Sequence, residues 1–218
     1  KFFPKSNLIV TGNPVRKEIL KLEGKRLRGL EKFNLDPNLP IVLSIGGSQG
    51  ARSINTAIDK NLNNFKEKGY QLLWQTGKFY NQEAKTRINE VDTSLVKSHE
   101  FIYEMDLAYS VADVVISRSG AMSVSELSLV NMPCILVPFP YAAEDHQTAN
   151  ARIMQEVGAA EIVHENELES GKLTLVLRDW IQDRNNLKRR ACLARSSAKP
   201  NATENIVKSC LNYVSSYD

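Results

Sequence analysis

Cysteine is scarce in this chain and follows no pattern. Cys134, Cys192 and Cys210 are odd in number and have no metal-ligand spacing. They read as free thiols in a reducing compartment, not as a disulfide scaffold. No apolar run reaches the ~20 residues that span a bilayer, and the opening KFFPKSNLIV lacks the long apolar core of a signal peptide. The expectation is therefore a cytoplasmic location. An excess of one charge is also missing: 28 Lys and Arg against 25 Asp and Glu leave a formal net charge of +3, with the signs interleaved. That is too mild and too scattered for a nucleic-acid footprint, so no nucleic-acid partner is expected. The tail NNLKRRACLARSSAK is locally basic but suits a solvated helix face. Repeats and low-complexity linkers are absent, which leaves residues 1–218 as one sizeable domain.

What is present is alternation. Short apolar runs, LIV (8–10), IVLSI (41–45), QLLWQ (71–75), DVVIS (113–117), CILVP (134–138) and AEIV (160–163), predict strands, with a weaker one near LVKSHEFI (95–102). LIV would be a strand entered almost at once, as though sequence preceded it. Between them lie SINTAIDKNLNNF, MDLAYSVA, SVSELSLV and HQTANARIMQEV, each with apolar residues at three- and four-residue spacing. From Leu173 onward the pattern is two or three helices, ending in KPNATENIVKSCLNYV. This is the arrangement of an α/β, Rossmann-like doubly wound parallel sheet. Such a sheet binds ligands outside the carboxyl ends of its strands, so the strand-to-helix turns are the places where chemistry is expected.

Four of those turns are chemically unusual. In GGSQGAR, Gly46 and Gly47 permit close backbone approach, Ser48 adds a hydroxyl, and the following helix start offers free N–H groups to an anion. The spacing is not G-x-G-x-x-G, and no Gly-Lys-Ser/Thr follows, which excludes the P-loop. The next strand ends WQTGK with no acid at its tip, against a nicotinamide dinucleotide. In TGNPVR, Asn13 can cap a helix with Pro14 at its first position, which sets Arg16 in the first turn on the same sheet edge. An ordinary surface arginine is the competing reading.

After DVVIS, RSGAMSVSE makes a second small-residue turn. Ala121 opens a helix whose N–H groups face the cleft, and Glu126 can accept hydrogen bonds from the vicinal hydroxyls of a ribose. A salt-bridged structural glutamate is the alternative. After CILVP, Asp145 is an N-cap candidate that sets His146 and Gln147 in the first helical turn, where imidazole and amide suit sugar hydroxyls. His146 could instead be a general base or simply pack on Tyr141. FIYEM (101–105) offers a flat wall for a base, with Phe101 itself assigned to the core and His99 and His164 taken as structural.

TGNPVR, GGSQGAR, QTGK, FI-x-x-M, SRSGAMSVSE, PFP and HQ-x-x-NA occur in this order across nearly the whole chain. Together they resemble the carboxyl-terminal, donor-binding half of the MurG family of bacterial glycosyltransferases. These transfer N-acetylglucosamine from UDP-N-acetylglucosamine to lipid I (undecaprenyl-diphospho-muramoyl-pentapeptide), making lipid II for peptidoglycan. The resemblance implies one half of a GT-B fold, with Arg16 and Ser48 on the donor diphosphate and Gly47 giving access. It puts the backbone of Ile102 at the uracil and the helix start Ala121, Met122, Ser123, Val124 and Ser125 at the cleft. Glu126 falls on the uridine ribose, and Gln147 with His146 on the N-acetylglucosamine. His146 departs from the pattern of members that carry a second glutamine.

The same resemblance implies no required metal or cofactor, and a peripheral position on the inner face of the plasma membrane. It assigns lipid I and the catalytic base to an amino-terminal domain, toward which the last helices, about 200–216, would pack. On its own this chain would then be inactive. Two other readings stand beside it: a naturally separate donor-binding subunit of a two-subunit transferase, and half of a nucleotide-sugar epimerase.

Overall fold

The computed structural model describes residues 8–47 and 50–215. Six strands, β1 (Ile41–Ile45), β2 (Gln71–Gln75), β3 (Val96–His99), β4 (Val114–Ser117), β5 (Cys134–Leu136) and β6 (Ala160–Ile162), form one parallel sheet in the order β3-β2-β1-β4-β5-β6. Every pairing is parallel, with Ile41 opposite Gln71 and Val42 opposite Val114. The helices are α1 (Arg26–Phe33), α2 (Arg52–Asp59), α3 (Leu62–Lys68), α4 (Asn81–Val91), α5 (Met105–Val111), α6 (Ala121–Leu129), α7 (His146–Glu156), α8 (Lys172–Gln182), α9 (Arg184–Ala194) and α10 (Ala202–Val214).

The near-continuous apolar strands follow from burial on both faces. Ile41, Leu43, Ile45, Leu73, Val115, Cys134 and Leu136 join one core layer with α1, α5, α6 and α7. Their strand neighbours Val42, Leu72, Trp74, Val114, Ile116 and Ile135 join the opposite layer with α2, α3, α4 and α8. The period of two along each strand thus divides the core between two helical layers. Burial also acts on Cys134, where desolvation pushes the thiol pKa far above the ordinary value.

Two expectations about elements fail. Leu8–Val10 is exposed and belongs to no strand, because three apolar residues in a row carry no period that separates a strand from an extended loop. SINTAIDKNLNNF is two helices rather than one, with the break at Lys60–Asn61, where the Asn61 side chain donates to the Ala57 carbonyl instead of facing solvent. The region after Leu173 holds three helices, α8 to α10. Among the described residues, no helix is long and apolar enough to cross a membrane.

Candidate functional site

The strand order reverses between β1 and β4, so the crevice of this sheet opens above their carboxyl ends. The two small-residue turns singled out in the sequence are the ones that leave these two strands. One is the Gly46–Ala51 loop into α2, and the other is Arg118–Gly120 into α6.

In the first loop the glycines divide by role. Gly50 has φ +81°, and a Cβ there would sit 2.2 Å from the Thr76 carbonyl oxygen, so this glycine is demanded by the fold. Gly47 also has positive φ, +79°, but nothing lies within 4 Å of where its Cβ would be. It is exposed, and its carbonyl accepts from the Gly50 N–H at 3.1 Å. Ser48 lies outside the described residues.

The second turn leads to α6 with Gly120 at the N-cap and no side chain capping it. The amides of Ala121, Met122 and Ser123 therefore belong to the orphan donors of a helix start, where the dipole favours an anion. Val124 and Ser125 do not extend that set. The Val124 N–H donates to the Gly120 carbonyl, and its side chain is core. Ser125 Oγ donates to the Ala121 carbonyl at 2.8 Å and accepts from Asn13 Nδ2 at 2.9 Å.

That last contact corrects the reading of TGNPVR. Asn13 caps no described helix; its amide donates into the first turn of α6, and the turn that follows it in the chain is a 3-10 turn over Lys17–Leu20, with Arg16 at its N-cap position. A cap must accept from orphan N–H groups, and among the described residues no N–H donates to Asn13 Oδ1. The consequence for Arg16 is favourable, because it lies beside α6 with its Nη2 3.8 Å from Glu126 Oε1. Arg16 is largely exposed, so this contact is weak in water.

Glu126 is partly buried at the crevice. Its Oε2 accepts from the hydroxyl of Tyr109, which is buried in α5, at 3.0 Å. Burial pushes its pKa up, while the Tyr109 hydrogen bond and the Arg16 charge pull it back. Burial, and after it the Glu126 charge and hydrogen bond, raise the Tyr109 pKa well above its ordinary value.

Ile102 lies beyond β3, buried, and its N–H is already engaged by Gln75 Oε1 at 3.0 Å. Its neighbour Phe101, which the sequence assigns to the core, is exposed and packs edge-on against exposed Tyr103 at 4.9 Å. His99 instead is half-buried against Phe33, and desolvation lowers its pKa.

On the far side of the crevice, α7 begins at His146 with Asp145 at the N-cap position. Asp145 does not cap with its side chain; it and Glu144 are two consecutive left-handed residues, both at φ +52°. Gln147 Oε1 accepts from the Phe139 N–H at 3.0 Å, which ties α7 to the loop after β5, and its amide N–H groups have no partner among the described residues. His146 Nδ1 lies 2.7 Å from the Ala143 carbonyl, a contact within its own turn. No hydrogen bond or ring contact joins it to Tyr141, which pairs with Phe139 at 5.7 Å.

Three residues at this edge escape the reading of the sequence, and only Gln75 leaves a hint there. Tyr109 is a core residue of α5 that orients Glu126. Arg118 is mostly buried; it donates to the Val137 and Pro138 carbonyls, to Ser53 Oγ and to Glu165, joining the loops after β4, β5 and β6 to α2. Gln75 links two crevice loops. The QTGK tetrapeptide was the available hint for Gln75, since a buried polar residue at a strand end needs partners. Among the described residues no group of three or more His, Cys, Asp or Glu could hold a metal ion.

Comparison with known proteins bears on this geometry. The profile of the glycosyltransferase family 28 C-terminal domain matches residues 41–206. The UDP-N-acetylglucosamine–N-acetylmuramyl-(pentapeptide) pyrophosphoryl-undecaprenol N-acetylglucosamine transferase of Christiangramia forsetii is 43% identical over 205 residues, 94% of this chain and 55% of that protein. The protein of the same name from Flavobacterium psychrophilum is 39% identical over 216 residues, 99% of this chain and 58% of its own length. Among solved structures, the crystal structure of Acinetobacter baumannii MurG superimposes with a TM-score of 0.72 at 27% identity, covering 94% of this chain and 57% of that one. A glycosyltransferase from Rickettsia africae shares the fold at TM-score 0.67 and 14% identity. This chain spans a little over half the length of the curated relatives it matches.

Proposed function

This chain belongs to the glycosyltransferase family 28 C-terminal domain family, and from that premise we propose that it is the donor-binding half of a GT-B transferase that moves N-acetylglucosamine from UDP-N-acetylglucosamine to lipid I. The observation that carries this reading is the convergence, at one sheet crevice, of the α6 helix start, Arg16 and Glu126 held by the buried Tyr109.

Each group suits a part of a nucleotide sugar. The departing UDP gains negative charge on its diphosphate as the glycosidic bond breaks, and preorganised N–H groups with a cation stabilise that charge in the transition state. The α6 amides, Arg16, the open Gly47 and Ser48 have that role. Glu126 takes the vicinal ribose hydroxyls, because an ionised carboxylate accepts two hydrogen bonds at once. Ile102 receives the uracil through its backbone, and Gln147 with His146 contacts the sugar. No metal or cofactor enters this scheme.

The acceptor and the catalytic base fall to the part of the relatives that this chain does not span. The contact with that part is assigned to α10. Val15, Leu20, Leu129, Val207 and Leu211 line an open apolar groove of about 450 Å³ along this helix, and Val207 and Leu211 are exposed. With that half in place, the enzyme works on the inner face of the plasma membrane, where a lipid-linked acceptor presents its head group.

Titration calorimetry tests the reading. The chain is expected to bind UDP and UDP-N-acetylglucosamine and to transfer no sugar to lipid I by itself. A folded chain with no heat of binding for UDP refutes it.

A further inference from the structure

Arg16 has to be held by its backbone. Its side chain is largely exposed, and a 3.8 Å approach to Glu126 is too weak to fix a long, flexible arginine. Residues 12–16 belong to no helix or strand, so point contacts place this stretch of chain. After Arg16, its carbonyl accepts from the Ile19 N–H at 3.2 Å, and Ile19 is buried in the core layer that also holds Tyr109. Before it, Gly12 at φ +89° runs so close to the residues leading into α10 that a Cβ would lie 2.6 Å from Lys199 Cβ.

Between these two anchors Asn13 turns to α6. Its Nδ2 donates to Ser125 Oγ at 2.9 Å and lies 3.4 Å from the Ala121 carbonyl. Ser125 Oγ in turn donates to that carbonyl at 2.8 Å. The hydroxyl thus commits its proton to its own helix and offers Asn13 a lone pair, which an amide N–H fits. Ser125 is the chain neighbour of Glu126, so one amide ties the segment carrying the cation to the helix carrying the carboxylate. Pro14 follows Asn13, and its fixed φ limits how far Arg16 can swing about that attachment.

We propose that Asn13 is a positioning residue: by donating into the first turn of α6 it fixes the segment that carries Arg16 and sets that cation beside Glu126, within reach of the donor diphosphate. This rests on the donor-site reading above, and it adds a residue that serves the phosphate grip without touching the nucleotide. Nothing local in TGNPVR marks the role, since the partner of Asn13 lies 112 residues along the chain.

The test compares the full chain with Asn13→Ala, Ser125→Ala, Arg16→Ala and the Asn13→Ala/Arg16→Ala double variant. UDP binding is read by calorimetry and uridine binding by NMR titration. Asn13→Ala is expected to lower UDP affinity about 3–10-fold. Uridine has no phosphate for Arg16 to hold, and its affinity is expected to stay the same. In the Arg16→Ala background, Asn13→Ala is expected to add nothing, and Ser125→Ala alone to reproduce part of the loss. A second readout needs no ligand. Burial raises the Glu126 carboxyl, and Tyr109 and Arg16 pull it back, so carbon NMR should show it titrating higher in Asn13→Ala, as in Arg16→Ala. Amide exchange at Leu73 in the strand interior reports folding and is expected to stay unchanged. Equal losses for UDP and uridine, or an undiminished effect of Asn13→Ala without Arg16, would show that Asn13 serves the fold alone and overturn the proposal. A wild-type chain that binds no UDP refutes the donor site itself. In that case a Glu126 titration unmoved by Asn13→Ala overturns the positioning role separately, and a raised one upholds the placement of Arg16.

Discussion

Glu126 offers the sharpest perturbation, because its two roles respond in opposite directions. In Glu126→Gln the side chain keeps an acceptor for the Tyr109 hydroxyl and loses its charge. A hydrogen bond to a charged group contributes about 1.5–3 kcal/mol, against about 0.5–1.5 kcal/mol for a neutral one. Exchanging one for the other at the ribose therefore weakens UDP by about 1–2 kcal/mol, roughly 5–30-fold. Fold stability moves the other way. Burial is the largest influence on this carboxyl and outweighs the help from Tyr109 and Arg16, so ionised Glu126 is a net cost to the folded state. Removing the charge is expected to leave the melting temperature unchanged or raise it, by about 2–4 °C for each kcal/mol recovered in a chain of this size. Since the folded pKa is raised, the wild-type contribution is fully present below the ordinary carboxylate value and is lost as pH rises through the raised one. The gap between Glu126→Gln and wild type should thus open with rising pH and close in acid. Glu126→Ala differs, because it strands the buried Tyr109 hydroxyl and costs about 1–3 kcal/mol of stability as well as affinity. Calorimetry with UDP and thermal melts across pH read both effects. Unchanged UDP affinity with a lowered melting temperature in Glu126→Gln would show a structural glutamate.

The glycine-rich loop predicts unequal costs for equal substitutions. Gly50→Ala combines left-handed strain with a Cβ against the Thr76 carbonyl and should cost about 2–5 kcal/mol in urea denaturation, whereas Gly47→Ala, with open space around it, should cost only about 1–2 kcal/mol. Equal midpoints for the two variants contradict this loop geometry. Asn55 in α2 is buried, donating to the Thr76 carbonyl at 2.7 Å and accepting from Trp74 Nε1 at 2.9 Å. Asn55→Leu leaves both partners unpaired and should destabilise by about 2–5 kcal/mol, with a changed Trp74 emission; a loss below ~0.5 kcal/mol disproves the role of this bridge.

Much of the architecture was legible because burial writes itself into local pattern. IVLSI and QLLWQ are apolar throughout because both faces of a parallel strand are covered. α1 and α4 escaped notice for the converse reason. Each buries only a few residues, Gly29, Leu30 and Phe33 in α1 and Ala84 in α4, and a glycine within a helix weakens its apparent propensity. At Gly29 a Cβ would lie 2.6 Å from Val111 Cγ1, so the residue that obscures α1 in sequence is the one that lets it pack on α5.

The site divides in the same way. Residue type and spacing sufficed to nominate the two small-residue turns, Arg16, Glu126 and Gln147, because anion and hydroxyl recognition need specific chemical groups at helix starts. Spacing could not show that Arg16 and Glu126 would lie side by side across 110 residues, or that Tyr109, Arg118 and Gln75 would hold the crevice together. Their partners are set by strand order, which brings β1 beside β4 and leaves β2 and β3 on one flank. Local periodicity determines what each segment buries. Which loops meet at the sheet edge is a long-range outcome of packing, and only the folded chain decides it.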